Sequence, residues 1–544
     1  MLSIQDLGVS WVNEFLLFIE KIENQIAEIS KQLNITYFEA TTTGSQEKYQ
    51  RVSELQLEIT QIFSNKSDFE KLKSFKEIIP EKEQILKRIY KILYNEFAAN
   101  QFDEKLHAEI IKLSTKIEER FSKYRAKIDD RILTDNEIDE ILKTSTDNFE
   151  LQKVWEASKQ IGEEVFEDVL TLVELRNQSA KILGYDNYHK MSLELNEQNS
   201  DDIIKLFDEL DELTKNKFAG LKDEMDEYLS TRYSINKKEL MPWHYQDKFF
   251  QQGPKLYSVD YDKYYVNKDI VQITKEYFSS VGLSADDIIE KSDLFEKENK
   301  YQHAYCMNID REGDIRIVCN IKPNHRWMST MLHETGHAVY DKYISEKLPW
   351  ILRTHAHIFT TEAIAMMFGR MASNPFWLRD MLNVDLIEVN QIKLDAEKSL
   401  MLEQLIFSRW VQVVFRFEKS MYENPKQDLN KLWWQLVEKY QLIKKPTNRN
   451  KPDWASKIHI ALYPAYYHNY MLGELLASQL YYFISNKVLL QKGNCKSFYN
   501  EKASGEYLKN LFFGYGSIYS WNELIEKSTG EKLNPKYYAE EFCK

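Results

Sequence analysis

Residues Thr330–Tyr343 read TMLHETGHAVYDKY, and His333, Glu334 and His337 within them make the pattern His-Glu-x-x-His. On a helix, two residues four apart lie about 40° apart around the axis and one turn apart in height. His333 and His337 can therefore offer two imidazole nitrogens to one tetrahedral metal ion, for which zinc is the usual occupant. Glu334 is turned about 100° from His333, which keeps it off the metal but within reach of a water held there. Zinc lowers the pKa of such a water to about 7, and a neighbouring carboxylate can take its proton. Five consecutive residues thus supply two ligands and a base for metal-assisted hydrolysis. Flanking Met331, Leu332, Ala338 and Val339 predict a buried helix, where His, Glu and His would be costly without partners.

A catalytic zinc takes a third protein ligand. The extension of the motif to a third histidine needs Gly at 340 and His at 343, and both positions are tyrosine. Glu346 lies more than about 10 Å along the same helix from His337. His355 and His357 fall in the connection to the next helical segment, FTTEAIAMMFGRMAS, which contains Glu362 in an apolar setting. A carboxylate there is expensive to bury alone, and a metal removes that expense. Glu362 is the favoured third ligand, with His355 and His357 as the alternatives.

These residues need a rigid scaffold. The 544 residues contain only 16 Gly and 11 Pro, with 43% hydrophobic and 13% aromatic residues, which predicts a large core and a mainly α fold. Residues 1–235 repeat apolar positions at helical spacing and predict a succession of long helices. GDIRIVCNI, residues 313–321, is the best candidate strand and follows a REGD turn. Asn324 can cap the helix carrying the motif. KKPTNRNKPDWASK, residues 444–457, reads as a basic loop leading into IHIALYPAYYHNYMLGELLASQL. The net charge of −13 argues against nucleic acid or an anionic membrane as partner. The N-terminus, with Glu14 and Glu20 interrupting its apolar patch, reads as an amphipathic helix and not a signal peptide, and no run of about 18 apolar residues predicts a membrane span. Four cysteines (Cys306, Cys319, Cys495 and Cys543) without a CxxC spacing suit a reducing compartment, so the expected location is the cytoplasm.

HETGH followed by a tyrosine, then LP, LR and EAI, resembles the active-site region of angiotensin-converting enzyme and its bacterial peptidyl-dipeptidase relatives. The 25 residues from His337 to Glu362 (362 − 337) fit the spacing of such glutamate zincins. HAYCMNIDREGDIRIVC (303–319) is similar to the family's substrate-facing strand, and KIHIALYPAYYHNY (457–470) to the segment closing the other side of its cleft. The resemblance covers 303–375 and 457–470 closely and the helical N-terminal half only in general terms. The thimet oligopeptidase and oligopeptidase F families share a similar His…Pro…Tyr…Tyr segment and are the second choice.

The resemblance implies a single two-lobed helical peptidase domain over 1–544, with a deep central groove and a small β-sheet beside the active-site helix. Residues 1–235 would form an N-terminal lobe whose first hundred or so residues act as a lid, and 236–544 the zinc-binding and groove-closing portion. It implies one Zn2+ per chain on His333, His337 and Glu362, with Glu334 as base and His459 and Tyr470 as donors to the oxyanion. Lys457, Tyr467 and Gln246 would hold a peptide's C-terminal carboxylate, while His303 and Ala304 meet its backbone. Tyr470 takes one inserted residue after His459 to align with the converting-enzyme pattern and none with the oligopeptidase pattern. Two departures stand out. Met366 occupies the place of an acidic residue that orients a zinc histidine, and Asn469 replaces an arginine tied to chloride activation. The expected function is zinc-dependent hydrolysis of short peptides with release of C-terminal dipeptides, by a monomer or weak homo-oligomer. An endo-acting oligopeptidase, or an inactive zinc-bound peptide-binding protein, is the alternative.

Overall fold

Scarce helix breakers give long helices. In a computed structural model, which describes residues 4–257, 259–490 and 497–544 and side chains from Val12 onward, Ile4–Thr43, Asn148–Ile182, Ser200–Tyr233 and Leu386–Glu423 are each unbroken. The side chains of residues 1–11, at the start of the predicted N-terminal helix, and Cys495 lie outside the described residues. Caps start the helices where the sequence supplies them: the Asp147 carboxylate accepts the N–H groups of Phe149 and Glu150, and Asn199 those of Asp201 and Asp202. The fold is mainly α, as expected. Among the described residues there are two small antiparallel sheets, β1 (Ala126–Ile128) with β2 (Arg131–Leu133), and β3 (Tyr305–Asn308) with β4 (Ile315–Val318). The first hairpin falls inside the stretch read as wholly helical. No helix among the described residues is long and apolar enough to cross a membrane.

The chain divides into two compact units, each assembled from three separated stretches. The expected lobes, 1–235 and 236–544, follow chain order, whereas the compact units interleave along it. The first unit contains residues 1–101, 260–393 and 473–534. Its centre is the motif helix, His325–Lys342, packed on the helix Ile358–Gly369. Asn324 caps the motif helix as expected, its side chain accepting the Trp327 N–H at 2.9 Å. Met328, Met331, Leu332 and Val339 from one helix and Phe359, Ile364 and Phe368 from the other are buried. β3 pairs with β4 in the register Cys306↔Ile317, beside the motif helix, and the first helix docks on this hairpin. Asn34 Nδ2 donates to the carbonyls of Asn308 and Ile309, and Tyr301 N–H to that of Thr41.

The second unit contains residues 102–259, 394–472 and 535–544. Its core gathers large aromatics, with Trp155, Trp410 and Trp454 almost wholly buried. Trp434 Nε1 donates to Asp453, whose carboxylate also receives a two-pronged Arg449 guanidinium. The basic loop predicted at 444–457 is present and ends in the short helix Ile458–Leu462.

Candidate active site

The helix Ile358–Gly369 is apolar on nearly every side and is buried accordingly. Within it only Ile358, Glu362 and Met366 escape full burial, at positions four apart that define one open seam. The motif helix likewise leaves His333 and His337 partly exposed while Glu334 is buried. These two seams meet because glycine lets the backbones close. A Cβ placed on Gly336 would lie 2.8 Å from the Ala365 Cα, a distance no side chain tolerates.

The result is a three-residue cluster. Glu362 Oε2 lies 3.7 Å from His333 Nε2 and 3.9 Å from His337 Nε2, and all three ligand atoms fall within 4.8 Å of one another. It is the only such group of His, Cys, Asp or Glu among the described residues. The imidazole rings stand nearly perpendicular, at 83°. Neither alternative third ligand joins them. His357 caps the Glu362 helix, its Nδ1 accepting the Phe359 N–H at 3.3 Å, and the His355 ring faces Tyr340.

Electrostatics suit a divalent ion. Burial lowers the His333 imidazole to about 4 and drives His337 well below its ordinary value, so both are neutral lone-pair donors at neutral pH. Burial raises Glu362 to about 7. Burial, and then the nearby Glu362 charge, raise Glu334 to about 8, against the opposing pull of the Cys306 N–H of β3. Two carboxylates and two neutral imidazoles converge here, and among the described residues neither carboxylate pairs with Lys or Arg. Such a two-nitrogen, one-oxygen donor set can hold a divalent metal ion. Met366 stands where the resemblance implies an acidic residue, and Thr361 Oγ1 lies 2.7 Å from His337 Nδ1. His303 and Ala304 stand immediately before β3, the first exposed and the second half-buried.

In the second unit, Lys457, Tyr467, His459 and Tyr470 gather around one aromatic cluster. The Tyr467 ring packs edge-on against His459 at 5.2 Å and Tyr470 at 5.4 Å. Burial, then the Lys457 charge, lower His459 to about 4, leaving it neutral. Burial also lowers the Lys457 ammonium to about 8. Its Nζ donates to Gln251 Oε1 at 2.7 Å, and the Tyr467 hydroxyl reaches the same atom at 3.5 Å. The glutamine beside Lys457 is therefore Gln251. Gln246, five residues earlier, turns instead toward the Tyr233 hydroxyl at 3.5 Å. In the sequence the three glutamines of MPWHYQDKFFQQ, Gln246, Gln251 and Gln252, look alike, and only the neighbouring Phe249 and Phe250 hint at Gln251.

Comparison with known proteins agrees with this chemistry. Residues 12–253 match the family described as angiotensin-converting enzyme, in the helical half where the motifs themselves say least. Three proteins called angiotensin-converting enzyme are similar: one from Haematobia irritans exigua, 22% identical over 80% of this chain and 78% of its own length; one from Theromyzon tessulatum, 24% identical over 54% and 50%; and one from Mus musculus, 26% identical over 50% and 21%. A longer match, residues 141–543, spans the His333–Glu362 cluster and the Lys457–Tyr470 segment alike, and by it the chain belongs to Peptidase family M3 and is a metallopeptidase.

Proposed function

We propose that the protein is a zinc-dependent peptidase that trims short peptides by releasing C-terminal dipeptides. The observation that carries this reading is the convergence of His333, His337 and Glu362 within 4.8 Å beside a buried Glu334. Those three residues would hold the zinc. Bound there, zinc supplies a Lewis acid that makes water nucleophilic near neutral pH and polarises a carbonyl.

The chain's own groups do the rest. Glu334 accepts the proton of the attacking water at its carboxylate and hands it to the departing amine. Its tie to the Cys306 N–H keeps the carboxylate oriented along β3. The Tyr470 hydroxyl and a neutral His459 N–H donate to the oxyanion of the tetrahedral carbonyl. Lys457, Tyr467 and Gln251 bind the free C-terminal carboxylate, which fixes how far from the peptide's end the cut falls. His303 and Ala304 meet the peptide backbone at the entrance to β3. Cys306 and Cys319 are free thiols on the one hairpin, which supports a reducing, cytoplasmic setting.

The test is mass spectrometry of products from a defined set of short peptides, each with free and amidated C-termini. Dipeptides released from free-ended peptides, abolished by chelator and restored by zinc, support the reading. Internal fragments formed equally from both sets replace it with an endo-acting oligopeptidase. Equal turnover by wild type and Glu334→Gln rejects Glu334 as the base.

A further inference from the structure

The loop Gln246–Gln251 is pinned by buried polar groups that have no part in the chemistry above. The Asp247 carboxylate accepts the N–H groups of Phe249 at 2.8 Å and Gln251 at 3.0 Å. Gln441, only 1% exposed, donates to the carbonyls of Phe249 at 3.0 Å and Phe250 at 2.9 Å. The Lys248 carbonyl accepts from Trp155 Nε1 at 3.1 Å and from Lys159 Nζ at 2.7 Å. Pins are needed because Gln246 and Phe250 hold φ of 62° and 52°, which non-glycine residues seldom adopt.

Lys159 is the unusual member. It is 2% exposed, and burial drives its ammonium well below its ordinary value. An apolar residue would fill the same space without that desolvation cost. An apolar residue, however, could not grip the Lys248 carbonyl while resting 3.2 Å from the centre of the Phe249 ring. That ring also lies 5.4 Å from Lys457 Nζ, so one aromatic is shared by both ammonium groups. Two residues further on, Gln251 meets Lys457. The chain of contact thus runs from Lys159 through Lys248 and Phe249 to the Lys457–Gln251 pair.

We infer that Lys159, assisted by Gln441, is a positioning residue that sets the preference for a free C-terminal carboxylate by holding the Gln246–Gln251 loop against Lys457. The inference rests on the carboxylate-binding role proposed for Lys457, Tyr467 and Gln251. Lys159 itself touches no substrate.

The experiment measures kcat and KM on the zinc-loaded, full-length chain for one short peptide with a free C-terminus and for its amidated twin. For wild type, kcat/KM favours the free peptide. In Lys159→Met that ratio falls about tenfold through a raised KM for the free peptide, with its kcat little changed. Lys159→Arg keeps the ratio within about threefold of wild type, because a cavity of about 30 Å³ beside Trp155, Lys159 and Asp453 takes the larger head while the cation remains. Gln441→Met, loosening the same loop from its other side, lowers the ratio in the same direction and decides the matter if Lys159→Met does not fold. A wild-type preference that survives intact in folded Lys159→Met, or in Gln441→Met when the former cannot be made, overturns the inference alone. A wild-type ratio near one overturns the carboxylate-binding role beneath it, and the inference with it.

Discussion

His337 and Thr361 are joined by a 2.7 Å contact between Nδ1 and Oγ1, one residue before Glu362. In the tautomer whose Nδ1 donates to Thr361, the Nε2 lone pair would be left for a metal, and a ring flip would lose the Thr361 contact. A hydroxyl is a weaker orienting group than a carboxylate, and it adds no charge to a site that already has two carboxylates. Thr361→Val keeps the shape and removes the acceptor. Zinc affinity, measured by competition with a chromophoric chelator, should fall about ten- to a hundredfold. An affinity equal to wild type would mean that packing alone orients the imidazole.

Gly336 sits at a close approach of the helices that carry His333 and Glu362. Adding a methyl at Gly336 demands that Ala365 retreat by several tenths of an ångström, and Glu362 is carried on the same rigid helix. Gly336→Ala should destabilise the protein by about 1–3 kcal/mol, the usual cost of overpacking a core. It should weaken zinc binding as well, since the carboxylate moves with its helix. Thermal unfolding with and without chelator separates the two effects. A variant as stable as wild type and with unchanged affinity would show that the contact is slack.

What the sequence disclosed of the cluster follows from spacing and from polar groups set among apolar neighbours. His333 and His337 sat at a spacing that puts them on one helix face, and Glu362 stood as the lone acid in an apolar helix. The helix cap at Asn324 and strand β4 carried ordinary local signals. Thr361 carried none, because a threonine beside Glu362 reads as any other β-branched residue. Gln251 was hidden for a different reason: the left-handed backbone at Gln246 and Phe250 decides which amide faces Lys457, and neither residue type announces such a φ. The hairpin of β1 and β2 was missed because three-residue strands are too short to show a period of two.

Glu362 should have opposite effects on stability with and without metal. Burial raises it to about 7, so in chelator at pH 8 the folded protein must keep a desolvated, ionised carboxylate near Glu334. Glu362→Gln removes that charge while preserving size. The melting temperature in chelator should rise by about 1–2 °C, whereas the stabilisation conferred by added zinc should shrink because a ligand has become a weak donor. Undiminished stabilisation by zinc would remove Glu362 from the proposed ligand set, and a melting temperature that falls in chelator would mean that its charge is not costly to the folded protein.

Glu418, 1% exposed in the second unit, provides a pH test remote in sequence from His333, His337 and Glu362. Burial raises it to about 8, outweighing the Ala465 N–H and the Arg176 charge, which favour its ionised form. Arg176 is occupied elsewhere, donating to the Ala461 carbonyl at 2.9 Å and the Tyr422 hydroxyl at 3.1 Å. The folded-state pKa lies above the ordinary carboxylate value, so the native protein holds this proton more tightly than the unfolded chain. Its contribution to stability is therefore complete in acid and declines as pH rises from about 4.5 to about 8, then levels off. Glutamine imitates the protonated form and still accepts from the Ala465 N–H. Glu418→Gln should flatten the fall in melting temperature between pH 5 and pH 8 and raise the value at pH 8.5 by about 2 °C or more. Parallel pH profiles for the two proteins, or a lower melting temperature for the variant at pH 8.5, would mean that Glu418 is ionised in the native state and that Arg176 compensates its burial.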